Sequence, residues 1–297
     1  MVSDSLEDKP QTAPSVWFAD ILAPFRVAVR VVGIVVWTLG CWVFILCASL
    51  SAVVSRPVAR KLRRTITRVW VKGFASILPM RLVVHGSLPK RPFFMGGNHL
   101  SWIDFFAVCT LLDAIGVVEE PVSHIPIIST LIKGLTPIFV RRVSEDTQRV
   151  KGLMVEALRR GESLIIAPES PKKTFPHGAG VHMFRGGLLD AAVVTGTPVH
   201  YFTLTYRAPE GYPPPSKVLL SGPNPFLKGP DGKLPESEVE FCGPERMFLP
   251  HFLGVLALPW FEFDIQFGEE PIPAGNDRIA LANKLHDAVA AKFVPVT

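Results

Sequence analysis

The sequence predicts an α/β protein, a mixed sheet flanked by helices, with an N-terminal membrane-embedded helical segment in front of it. Three observations carry that prediction. Beyond residue 78, short apolar stretches of strand length alternate with longer helical ones, as in a layered α/β body. Val31 to Val54 form 24 consecutive positions without a charge. From Ile21 to Ile103 there is no Asp or Glu, while the same 83 residues hold twelve Lys and Arg. These features divide the chain into a polar N-terminal tail (1–20), a membrane anchor with a basic interfacial helix (21–78) and a folded body (79–297).

At 297 residues, with 48% hydrophobic against 19% charged residues, the chain buries a sizeable core and is not a disordered or acidic-tail protein. Its net charge of +5 conceals a segregation, since the acid-free segment is basic and the remainder net acidic. A nucleic-acid binder spreads its cations over the folded face that holds the phosphates, so no nucleic-acid partner is expected. Cys41, Cys47, Cys109 and Cys242 form no C-x-x-C pair and no cluster with zinc spacing; buried, reduced thiols are expected, and no metal site.

As a helix, Val31–Val54 measures about 36 Å at ~1.5 Å per residue, enough to cross a bilayer. It starts too far from the N-terminus, and runs too long, for a signal-peptide core. A buried core helix is a second reading, and a hairpin dipping into one leaflet, bent at Gly33, Gly40 or the Ser49/Ser51 region, is a third. Behind the run stand Arg56, Arg60, Lys61, Arg63, Arg64, Arg68 and Lys72, interleaved with Val58, Leu62, Ile66, Val69 and Trp70. That interleaving predicts an interfacial amphipathic helix whose cations reach lipid phosphates, each contributing about 1 kcal/mol at an anionic surface. By the positive-inside rule the body faces the cytoplasm, at the inner or plasma membrane; Arg26 and Arg30 on the other flank weaken the bias.

In the body, Arg81–Val84 and Pro92–Met95 read as strands and Ile103–Leu112 as a helix. Pro137–Arg141 is a strand, and Glu145–Arg160 an amphipathic helix with Val150, Leu153, Met154, Ala157 and Leu158 on one face. Ser163–Ala167 is a short strand, Gly187–Val194 a helix and Pro198–Tyr206 a strand. Ala208–Gly243, rich in Pro and Gly, reads as a long surface excursion. Phe248–Trp260 is an apolar stretch broken by prolines, Phe261–Phe267 alternates like a strand, and Asn276–Lys292 is a closing helix capped by Asn276.

The first chemical signal is Gly96-Gly97-Asn98-His99-Leu100-Ser101-Trp102-Ile103-Asp104, a strand running into a helix start with the spacing H-x-x-x-x-D. A carboxylate one turn beyond a histidine accepts from Nδ1–H, fixes the tautomer and leaves Nε2 to take a proton from an alcohol. Alone, so short a spacing is weak, and a His–Asp pair that merely caps a helix reads the same way. More segments follow in order. They are His124-Ile125-Pro126-Ile127, then Thr136-Pro137-Ile138-Phe139-Val140-Arg141-Arg142, and Ala167-Pro168-Glu169-Ser170-Pro171-Lys172-Lys173. Phe184-Arg185-Gly186-Gly187 and Thr197-Pro198-Val199 complete the series.

Across about residues 80 to 290 this ordered set resembles the glycerolipid (lysophospholipid) acyltransferase family, of the 1-acyl-sn-glycerol-3-phosphate acyltransferase type. The family's N-H-x-S-x-x-D stands here as Asn98, His99, Ser101 and Asp104. Its G-x-I-F-I-x-R stands as Thr136 to Arg142, with Thr136 at the usual glycine. Its F-P-E-G-T-x-S stands as Ala167 to Lys173, keeping Pro-Glu and replacing Gly-Thr by Ser170 and Pro171. The resemblance implies an acyltransferase domain over 79–297 that moves a fatty acyl group from acyl-CoA or acyl-carrier protein to a free lysolipid hydroxyl. His99 is then the general base, oriented by Asp104. Asn98, Ser101, Phe139, Arg142, Glu169, Ser170, Lys172 and Lys173 are the implied substrate contacts. No cofactor is implied, since a thioester needs no metal to be attacked. Arg142 is suited to an acceptor phosphate, because a guanidinium holds two phosphate oxygens at once.

Glu169 beside a phosphate is repulsive unless paired, so it is expected to position Arg142 or a lysine, or to bond an acceptor hydroxyl. His177 and His182 follow closely enough to matter; the other histidines read as structural or solvated. Met247–Leu253 looks like a bacterial branch that includes lyso-ornithine-lipid and lysophosphatidate acyltransferases, and its apolar run suits either an acyl groove or plain core packing.

The leading expectation is therefore a membrane-bound O-acyltransferase converting 1-acyl-glycerol-3-phosphate to phosphatidic acid, with membrane lipids, a lysolipid acceptor and the acyl donor as partners. The alternatives are acylation of a non-phosphate lysolipid such as lyso-ornithine lipid, and a non-catalytic lipid-binding protein on the same fold. A hydrolase is disfavoured, because no G-x-S-x-G nucleophile elbow is present.

Overall fold

The computed structural model describes residues 20–53, 55–119, 127–141, 144–169, 176–220 and 248–296. The chain opens with helix α1 (Ala23–Leu50), a 3-10 turn at Ser51–Val53 and helix α2 (Arg56–Ile77). Strands β1 (Met80–His85) and β2 (Phe94–Gly97) follow, then α3 (Ile103–Leu111) and β3 (Ile115–Glu119). Next come the short helix α4 (Ile128–Ile132), β4 (Ile138–Val140), α5 (Ser144–Arg159) and β5 (Leu164–Ile166). The series continues with α6 (Gly186–Thr195), β6 (Val199–Arg207) and the four-residue α7 (Pro215–Val218). It closes with α8 (Phe248–Ala257), β7 (Phe261–Phe267) and α9 (Arg278–Ala290).

The strands form one sheet in the order β1-β7-β6-β2-β5-β3-β4. Only β6 and β7 pair antiparallel, which makes the sheet mixed. Side chains alternate across it, so each strand feeds two cores. Met95, Phe202 and Leu204 enter one core, with Trp70 and Phe74 of α2 and Phe106 of α3. Phe94, Leu164, Ile166 and Val199 enter the other, with Met154 of α5, Leu189 of α6 and Leu285 of α9. With β2, β3, β4, β5 and β6 parallel, the loops after them open at one edge of the sheet, where ligands meet an α/β fold.

The expected elements sit within a few residues of their places, with informative exceptions. β3 was not foreseen: Ile115–Glu119 reads IGVVE, a short segment with no alternation of apolar and polar residues. Phe248–Ala257 is a helix in spite of Pro250, because a proline in the first turn gives up no intrahelical N–H bond. The cap of α9 is Asp277, whose Oδ1 accepts from Ile279 N–H at 2.7 Å, rather than Asn276. Thr136 adopts φ 55, ψ 47, so a glycine there in relatives is a matter of left-handed backbone. Residues 1–19 and 221–247 of the predicted tail and excursion lie outside the described residues.

The apolar run is one helix, unbroken at Gly33 and Gly40; Ala23–Val53 is long and apolar enough to cross a membrane. The chain then turns back near Ser51, and α2 returns antiparallel along α1. Trp37 Nε1 donates to the Trp70 carbonyl at 3.0 Å, and Trp70 Nε1 to Thr38 Oγ1 at 3.2 Å. The hairpin lies against the body. Arg26 and Arg30, read above as a flanking charge, donate to the carbonyls of Leu256, Ala257, Leu258 and Pro259 at the end of α8. Arg64 and Arg68, expected to reach lipid phosphates, instead pair with Asp113 at 2.7 and 2.5 Å, because α2 packs along α3. Cys47, expected to be buried, is exposed on α1.

Gly73 is where the two helices approach most closely, since a Cβ there would lie 2.1 Å from the Trp37 ring. Ala normally favours a helix over Gly by about 1 kcal/mol. Gly73→Ala is expected to reverse that sign and lower stability by about 1–3 kcal/mol through overpacking. Thermal unfolding in detergent measures it; a gain in stability would show that the helices separate freely.

Candidate active site

β2 delivers the site. Its four residues Phe94–Gly97 are fully buried, and the chain leaves its carboxyl end through Asn98 into the turn that starts α3. Glycine is required at 97, where a Cβ would lie 2.2 Å from the Phe202 ring. Asn98 locks the exit to the neighbouring strand. Its Nδ2 donates to the Leu204 carbonyl at 3.0 Å and its Oδ1 accepts from Leu204 N–H at 2.7 Å, continuing the β2–β6 ladder through a side chain.

The turn is wrapped around one carboxylate. Asp104 Oδ2 accepts from His99 Nδ1 at 2.8 Å, Leu100 N–H at 2.7 Å and Ser101 N–H at 3.0 Å. Oδ1 accepts from the Tyr206 hydroxyl, which arrives from β6. The Asp104 side chain is 6% exposed, while that of His99 is 54% exposed. A buried carboxylate needs such donors to remain charged, and its place in the first turn of α3 adds a favourable interaction with the helix dipole. The Tyr206 hydroxyl is itself held protonated, burial and the Asp104 charge pushing it well above its ordinary value.

A second carboxylate holds the same turn from the other side. Glu169 Oε1 accepts from His99 N–H at 2.7 Å. Glu169 follows β5 and bridges to Phe184, placing it next to the end of β2. Burial raises its carboxyl to about 7, the Asp104 charge adding to the rise and the N–H groups of His99 and His182 opposing it. From behind, His177 Nε2 donates to the Leu100 carbonyl at 2.9 Å. The N–H groups of His99, Leu100 and Ser101 thus all point at carboxylates.

The expected site residues divide accordingly. His99, Asp104 and Glu169 come together, with Glu169 on the backbone of His99 rather than on a cation among the described residues. Asn98 and Ser101 are buried behind the dyad, 2% and 0% exposed, and were expected to touch substrate; their surroundings make them supports. Phe139 is mid-strand in β4, three strand spacings or about 14 Å from β2, and is likewise not beside the dyad. Arg142, Ser170, Lys172 and Lys173 lie outside the described residues. Tyr206 was missed. A tyrosine ending an apolar strand 102 residues from Asp104 carries no local mark of that pairing.

Two expectations follow. Tyr206→Phe leaves Oδ1 of a buried carboxylate short of a donor, and stability should fall by about 1–3 kcal/mol in denaturant titration. For Glu169 the folded carboxyl is raised above its ordinary 4.5, so between pH 4.5 and about 7 the folded chain keeps a proton that the unfolded chain has released. Stability therefore falls as pH rises through that window, by at most roughly 1.4 kcal/mol per unit from this group. Glu169→Gln should flatten the slope; an unaltered slope would remove Glu169 from the titration.

Comparison with known proteins agrees with the motifs and the fold. A family described as Acyltransferase matches residues 81–204. The chain is 28% identical over 229 residues to a lyso-ornithine lipid O-acyltransferase of Pseudomonas aeruginosa, spanning 77% of this chain and 78% of that one. It is 28% identical over 216 residues to a lyso-ornithine lipid O-acyltransferase of Rhizobium meliloti, spanning 70% and 68%. In fold it is similar to the crystal structure of the 1-acyl-sn-glycerophosphate (LPA) acyltransferase PlsC from Thermotoga maritima. That similarity has a TM-score of 0.56 at 20% identity and covers 89% of this chain and 96% of that one. With the His99–Asp104 turn at the carboxyl end of β2 and the remaining motifs in order behind it, the chain is similar to acyltransferases in sequence over residues 81–204 and in fold.

Proposed function

We propose that the protein is a membrane-associated lysolipid O-acyltransferase in which His99 is the general base and Asp104 its orienting partner. The observation that carries the reading is the dyad itself: an exposed imidazole whose Nδ1 is held at 2.8 Å by a buried, multiply bonded carboxylate. In that arrangement Nε2, the nitrogen Asp104 does not engage, takes the proton of the acceptor hydroxyl as its oxygen attacks the thioester carbonyl. A C–O bond forms, the tetrahedral oxyanion collapses, the C–S bond breaks and the imidazolium returns its proton to the leaving thiolate. Asp104 stabilises the imidazolium between those steps. Donors for the oxyanion come from elsewhere than the N–H groups of residues 99–101, which already serve Asp104 and Glu169.

For the acceptor, the relatives' names favour lyso-ornithine lipid over 1-acyl-glycerol-3-phosphate, and the loss of Gly-Thr from the third motif supports a departure from the phosphate acceptor. Arg142 keeps the phosphate reading in play, since it stands at the family's arginine. The acyl donor is acyl-CoA or acyl-carrier protein. The hairpin favours seating in one leaflet over a full span. α2 carries exposed Arg56, Arg60, Lys61 and Lys72 and packs on the body, so of the hairpin it is the outer face of α1 that meets the bilayer. The basic flank supports a body on the cytoplasmic side.

Purified protein given labelled acyl-CoA or acyl-carrier protein, with lyso-ornithine lipid and 1-acyl-glycerol-3-phosphate as parallel acceptors, tests the reading. Acylated lipid, scored against free fatty acid, is expected from the first acceptor. His99→Ala should lower turnover by at least ~100-fold, the scale of general-base catalysis, with the fold intact. Near wild-type turnover in that variant would sink the assignment of the base. His99→Ala is a cleaner test than Asp104→Ala, which also strips four donors of their acceptor.

A further inference from the structure

Helix α8 has no charged residue along Phe248–Ala257. Its inner face, His251, Val255 and Leu256, is buried, while Phe248 and Leu249 on the outside are 40% and 62% exposed. It packs beside α1, whose own outer stripe runs through Phe25, Val29, Val32, Val36, Leu39, Val43, Leu46 and Leu50, each exposed. Where α8 ends, α1 covers its terminus. Arg26 donates twice to the Ala257 carbonyl, at 3.0 and 2.8 Å, and Arg30 donates to Leu256, Leu258 and Pro259 at 2.6, 2.5 and 3.3 Å. The last carbonyls of a helix have no partner within it. In water the solvent supplies one; in hydrocarbon the protein must.

We propose that α8 is a second lipid-contacting helix, immersed in the same leaflet as the outer face of α1, with the Arg26–Arg30 clamp holding the two helices at one depth. The occupant of this surface is bilayer lipid. The patch is continuous with a helix of membrane-spanning length and apolarity, and its helix end is capped by guanidinium groups in the way a water-free environment demands. Arg26 is balanced by Asp20 at 2.7 Å, and Asp20 accepts from the Tyr212 hydroxyl at 2.6 Å, tying the start of α1 to the segment after β6. The consequence reaches the dyad. Trp102, three residues from His99, donates from Nε1 to His251 Nδ1 at 3.0 Å and packs against Phe248 and Phe252 at 6.1 and 5.7 Å. The depth of α8 therefore sets the height of the catalytic turn above the lipid.

The inference rests on the membrane placement of α1 proposed above and not on the acceptor. Full-length protein carrying a benzophenone amino acid at position 249 is reconstituted into vesicles of phosphatidylethanolamine and phosphatidylglycerol, irradiated and weighed by mass spectrometry. Position 36 in α1 and position 279 in α9, where Ile279 is 61% exposed on the other side of the sheet, serve as comparisons. A mass increase of one phospholipid at 249 and 36, and none at 279, is expected. Lipid at 36 without lipid at 249, a protein–protein adduct at 249, or equal labelling at 279 would overturn the proposal. Lipid at neither 36 nor 249 overturns it together with the membrane placement. The readout requires no acyl transfer, so failure of the acceptor reading leaves it standing.

Discussion

Burial of the Asp104 carboxylate is the constraint around which the site is organised. A charged group that is 6% exposed is tolerable only when its oxygens are occupied by donors. Three of the donors come from the turn His99–Ser101 and the fourth from Tyr206. Satisfying the charge therefore fixes the turn, and fixing the turn fixes the imidazole. Glu169 repeats the logic on the backbone of His99, so His99 is held by two carboxylates at two different atoms. The Asp104 carboxylate is thereby buried while the His99 ring stays exposed.

The sheet makes this economical. β2 lies between β5 and β6, and its parallel neighbours bring Glu169 and Leu204 to the same edge as His99. Asn98 mends the ladder just beyond the end of β2, at the point where the chain must leave the sheet. The core facing α2, α3 and α8 then ties the His99–Asp104 turn to the hairpin. Trp102 and Phe106 of the α3 region stack into Phe74 of α2, whose neighbour Trp70 is bonded to α1. Apolar helix, aromatic core and dyad form one packed unit.

Several of these elements were legible in the chain. The alternation of FEFDIQF placed β7 to the residue, because one face of that strand is polar and the period of two survives. β3 was not legible, since IGVVE carries no period of two. His99 and Asp104 were legible because they stand five positions apart and a helical turn determines how they meet. The roles of Arg26, Arg30, Arg64 and Arg68 were misread, because a basic residue next to an apolar run has the same sequence signature whether it meets a phosphate or a helix end.

The sequence by itself determined the local pattern: a histidine and an aspartate at a spacing that couples them, motifs in acyltransferase order, and an apolar helix followed by cations. Periodicity and short spacing are local, and local rules act through the covalent chain. Only the tertiary structure decided which groups satisfy the buried polar atoms. Tyr206 is 102 positions from Asp104, Glu169 is 70 from His99, and the carbonyls that Arg26 and Arg30 cap lie more than 225 residues away. Pairing these distant donors with their acceptors depends on where folding brings them, and no short stretch of sequence contains both.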